Sequence, residues 1–213
     1  MPHVKIPAEH GDAANPRLGA VASALAHRGA DVEIDADGEN LVRRYRDRPG
    51  VQVCAQGLPN LLHELVHVVL AGVLDDDHGI DYQAIPFDLR SSTGRAVMFE
   101  ELACCVLSCA YIADARDGES EADASARVDA WFAEQVGIQP VFYGMEDDPG
   151  AFWRRVGAVA QAHAAELDAV IDRAYRDVAE LLAAAGADAA LCQPARRLTF
   201  AGLWSRAPVG AAA

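Results

Sequence analysis

Two histidines and a glutamate within one helical turn are the residues whose types and spacing best suit chemistry. They lie in the segment His63-Glu64-Leu65-Val66-His67. Histidines four residues apart share one face of a helix, so both imidazoles can bind one metal ion at about 2.0–2.1 Å. Glu64 is rotated by about 100° from His63 and can act on a water molecule beside that metal. The spacing therefore predicts a single metal ion, zinc, bound by His63 and His67.

The alternative interpretation of this segment is a pair of core histidines held by ordinary hydrogen bonds. Burying two imidazoles and a carboxylate in one turn without partners would cost several kcal/mol. The occurrence of all three residues at this helical spacing therefore favours a metal site over a pair of core histidines.

A catalytic zinc site takes a third protein ligand and leaves one position open. We expect this ligand to be Glu100 or Glu101, because both lie in an otherwise apolar helix, where a carboxylate needs a cation. The alternative is a carboxylate paired with Arg90 or Arg95. Rival ligands follow the first helix closely: they are His78 and residues 75–77.

Three elements must position these side chains. The apolar run from Leu61 to Leu74 predicts one helix, Arg95 to Ala113 predicts a second, and the alternation in Val51 to Gln56 predicts a strand. The remaining predictions are a helix from Pro16 ended by Gly29, a strand at 31–35, a polar helix at 40–48, a helix at 122–136 and a long helix, with room for one break, from Asp148-Pro149 towards Ala185. Residues 1–14 are predicted to be a loose arm.

The composition narrows the class of partner. The chain has 18 basic and 32 acidic residues, a formal net charge of −14. Such a surface repels nucleic acid and anionic membranes, and it either serves solubility alone or attracts a cationic ligand. The five cysteines are an odd number, and no apolar run marks an N-terminal signal. We therefore expect a cytoplasmic, bacterial protein with reduced thiols; the oligomeric state is not predicted.

The histidine motif followed by Glu100-Glu101-Leu102-Ala103 resembles the gluzincin group of zinc metallopeptidases. Those enzymes carry H-E-x-x-H on one helix and a glutamate on the next, and the E-x-x-A pattern of small bacterial members selects Glu100 over Glu101. The resemblance covers about residues 51–113. It implies that Glu64 polarises a zinc-bound water, and that strand 51–56 is the edge strand that pairs with substrate. The sequence departs at Cys104, where many gluzincins have Asp or Asn; we expect Cys104 to be a small core residue.

The pattern of elements predicts an α+β fold, predominantly α-helical, with a small β-sheet and a long C-terminal helix. The resemblance implies in addition a zincin-like pair of metal helices. We expect one domain over residues 1–213, with a metal-binding core at about 51–113 and a helical part at about 120–187. The acid that assists the oxyanion is predicted to be His78 or Tyr82, with Tyr111 and His163 as alternatives.

The expected function is a zinc-dependent hydrolase that attacks a peptide or small amide with Glu64 as general base. One alternative is a non-proteolytic metalloenzyme that uses zinc or non-haem Fe2+ on a small molecule, since two histidines and a carboxylate suit both metals. The other alternative is a structural metal-binding domain.

Overall fold

The computed structural model describes residues 3–6, 16–72, 87–114 and 118–207. Within these ranges the chain is mostly helical and has a small mixed sheet of four strands, so the predicted α+β class is confirmed. None of the described helices combines the length and the apolar character needed to cross a membrane.

The chain divides into two compact units. The first comprises Met1–Ile80 and Ala174–Pro194, and the second comprises Asp81–Arg173 and Ala195–Ala213. Each unit therefore joins segments that are distant in the sequence.

The first unit is a sheet covered by two helices. Its strands are β1 (Val4–Lys5), β2 (Ala30–Ile34), β3 (Leu41–Arg44) and β4 (Val51–Ala55), and its first helices are α1 (Pro16–His27) and α2 (Leu58–Ala71). The strand order is β1-β2-β4-β3, with β3 antiparallel to β4 and the other pairs parallel. Alternate residues of β2 and β4 are buried, and α1 contacts β2 while α2 contacts β4. One face of the sheet and the apolar sides of both helices thus form the core.

The second unit is helical. It contains α3 (Ser92–Ile112), α4 (Glu121–Phe142) and α5 (Pro149–Ala162), while α6 (Ala164–Ala184) begins in this unit and ends in the first. Two short helices follow, α7 (Ala189–Cys192) in the first unit and α8 (Phe200–Trp204) in the second. Side-chain oxygens of Ser91, Ser120 and Asp148 accept hydrogen bonds at the starts of α3, α4 and α5, which fixes where these helices begin. α3 packs on α4 and α8, and its residues from Leu102 to Ile112 are all buried.

Most predicted elements are confirmed, including α1, β2, α2 and α3 within a few residues of their bounds. The long helix is broken once, at His163, between α5 and α6. The helix predicted to end at Val136 instead continues as α4 to Phe142.

Residues 40–48 do not form the predicted polar helix. Leu41–Arg44 is a strand, because a turn at Gly50 (φ 112°) folds it back onto β4 and buries Val42 to 2 % exposure. Long-range pairing overrides the local polar pattern here. Two related expectations are also wrong: β4 lies between β2 and β3 and so is not the edge strand, and Val4–Lys5 pairs with β2 instead of lying in a loose arm.

Candidate metal centre

The histidine motif lies on α2, whose two ends are defined by the local sequence. Pro59 occupies the first turn, where its missing N–H costs nothing, and Gly72 ends the helix in the left-handed region at φ 81°. The Arg28 guanidinium also donates to the Gly72 carbonyl oxygen at 3.2 Å. The buried side of α2 is apolar and consists of Leu61, Leu62, Leu65, Val66 and Val68. This packing fixes the rotation of α2, so the polar residues of the motif remain half-buried.

The two imidazoles meet through their metal-binding atoms. The Nε2 atoms of His63 and His67 are 3.1 Å apart, with the rings inclined at 62° and their centroids 4.9 Å apart. Two nitrogen lone pairs repel at this distance, so either a proton or a cation must lie between them. The sequence prediction that these histidines share one helix face is confirmed.

This separation fits a shared metal ion. With metal–nitrogen bonds of about 2.0–2.1 Å, two ligand nitrogens lie about 2.8–3.0 Å apart at a right angle and about 3.3–3.4 Å apart at the tetrahedral angle. The observed 3.1 Å falls between these limits. The donor set of two neutral imidazoles therefore suits a divalent metal such as zinc or iron.

Glu64 lies beside this pair in the same turn of α2 and is half-buried. A half-buried carboxylate is partly shielded from water, and such shielding raises the pKa of a carboxyl group towards the range that suits a general base.

In the second unit, the two predicted carboxylates are neighbours on α3. Glu100 and Glu101 are both half-buried, and the Nε2 of Gln139 donates to Oε2 of Glu101 at 3.1 Å. Arg95, a predicted alternative partner of these carboxylates, instead donates from Nε to Glu166 at 3.2 Å. Gln139 is therefore an established partner of Glu101.

The cysteines of α3 are wholly buried. Cys104 follows Glu100 by one helical turn and is 0 % exposed, so the prediction that it is a small buried residue is confirmed. Burial raises the pKa values of the Cys105 and Cys109 thiols well above the ordinary range. These two thiols are consequently protonated at neutral pH and are poor nucleophiles.

The predicted acids fall in three places. His78 and Tyr82, with the rival ligands at 75–77, lie outside the described residues. Tyr111 is 1 % exposed inside α3. His163 lies at the junction of α5 and α6, where its Nδ1 is 3.4 Å from Oε2 of Glu166.

Sequence reasoning missed Gln139. This residue is 1 % exposed, and it lies beyond Val136, where the helix was predicted to end. The signal was the spacing of Gln135 and Gln139, which places two amides one turn apart on the buried side of α4.

Comparison of the chain with known protein families, with curated proteins and with solved structures finds no match. The function is therefore inferred from the residues themselves.

Proposed function

We propose that this chain is a metal-dependent hydrolase of the H-E-x-x-H class that cleaves a peptide or small amide. The observation that carries this proposal is the 3.1 Å approach of the His63 and His67 Nε2 atoms, with Glu64 in the same turn. A pair of structural histidines would need no carboxylate beside it, whereas a hydrolytic site needs a base next to its water.

For the third donor we retain the carboxylate of Glu100, as the gluzincin resemblance implies. A thiolate is also a strong zinc ligand, so the thiol of Cys104, one turn further along α3, is tested beside it. A bound zinc ion would act as a Lewis acid and lower the pKa of a water molecule at the site.

Glu64 carries the proton transfers of the proposed reaction. One of its carboxylate oxygens accepts a proton from the attacking water and later returns that proton to the leaving nitrogen. A carbon–oxygen bond forms and the carbon–nitrogen bond breaks, so the products are a carboxylic acid and an amine. This exchange consumes one water and needs no other reactant.

The second candidate is a metalloenzyme that uses non-haem iron on a small molecule. The separation of 3.1 Å favours it as much as zinc, because an octahedral metal would hold two nitrogens slightly closer than a tetrahedral one. This candidate has the same protein ligands and differs in the metal and in the reaction.

The experiment is a hydrolysis screen of the full chain loaded with one equivalent of Zn2+, of Fe2+, or of neither. A library of quenched-fluorescent peptides and simple amides serves as substrate. Hydrolysis with zinc that a chelator abolishes supports the proposal. If a zinc-loaded chain cleaves nothing, and only the iron-loaded chain transforms small molecules under oxygen, the hydrolase is rejected in favour of the second candidate.

The third donor is tested by zinc affinity. Glu100→Ala is expected to weaken zinc binding about 10- to 100-fold, while Glu101→Ala leaves it nearly unchanged. Cys104→Ala is the matched comparison on the same helix. If Cys104→Ala weakens binding and Glu100→Ala does not, the thiol is the third donor.

A further inference from the structure

We draw no further inference here: the strongest candidate, the exposed apolar patch that Ile138 and Val141 form one turn apart on α4 of the second unit, carries none because nothing in the described part of the chain shows what covers it.

Discussion

Each of the two units contains a pair of polar side chains set among apolar residues, and the two pairs differ in how their atoms are used. In the second unit, Trp131 donates to the Ser108 hydroxyl at 2.8 Å, and that hydroxyl donates to the Cys104 carbonyl at 2.8 Å. In the first unit, the Nε2 atoms of His63 and His67 face each other at 3.1 Å.

The comparison separates a closed polar pair from an open one. The donors of Ser108 and Trp131 are both used and the pair is buried, so it can stabilise the fold and do little else. The imidazoles are half-buried, and a cation can replace the proton between them. A candidate binding site is therefore distinguished from a structural polar pair by its exposure to solvent and by lone pairs that can bind either a proton or a metal ion. Polarity alone does not make this distinction.

The largest expected effect is on turnover, in Glu64→Gln. This change keeps the size of the side chain and removes its basicity, so hydrolysis of any substrate found should fall by about 10²–10⁴-fold. Zinc content should stay the same, because the two histidines are untouched. The measurement is kcat on the best substrate from the library, with metal content determined on the same sample.

The control for this change is Glu180→Gln, at an exposed position of α6. It removes the same charge and should leave turnover unaltered. If Glu64→Gln keeps full activity, Glu64 is not the general base and the proposed mechanism is wrong.

The closed pair is probed by Ser108→Ala. The substitution leaves the buried N–H of Trp131 without its acceptor, so the free energy of unfolding should fall by about 1–3 kcal/mol. Urea unfolding of both proteins gives this difference, and zinc binding should be unaffected. Ser205→Ala, at an exposed position, should change the stability little. If Ser108→Ala also lost its bound zinc, the conclusion that this pair only stabilises the fold would be wrong.

A smaller effect is expected at Asp31, which belongs to a closed cluster in the same unit as the histidines. The Tyr45 hydroxyl at 2.6 Å, the His3 backbone N–H and the Arg48 guanidinium lower the pKa of this carboxyl from 3.8 to about 2. A lowered pKa in the folded state stabilises the fold above pH 3.8, and this contribution is lost as the pH falls through about 2.

Asp31→Asn should therefore be less stable than the unaltered protein at pH 7, and the difference should shrink below pH 4 and vanish only below pH 2. Urea unfolding at several pH values measures it, with Asp37→Asn at an exposed position as the comparison. A difference that does not depend on pH would mean that the Asp31 charge contributes nothing.

The sequence predicted the helices well because their apolar spacing is long and regular, as in α2 and α3. It failed at β3, where local residues are polar and the strand exists only because β4 pairs with it across the Gly50 turn. The position of His63 and His67 on one face of α2 was predicted from their spacing alone. Gln139 was missed, because the helix was predicted to end at Val136 and the partner Glu101 is 38 residues away in the sequence.

The most direct test of the metal centre is the zinc content of the protein after loading with excess zinc and gel filtration. The account predicts about one zinc per chain. His63→Ala and His67→Ala should lose it, while His163→Ala, a half-exposed histidine paired with Glu166, should keep it. If the unaltered protein binds no zinc, or if both motif variants retain the metal in full, the two imidazoles share a proton and the proposed zinc centre does not exist.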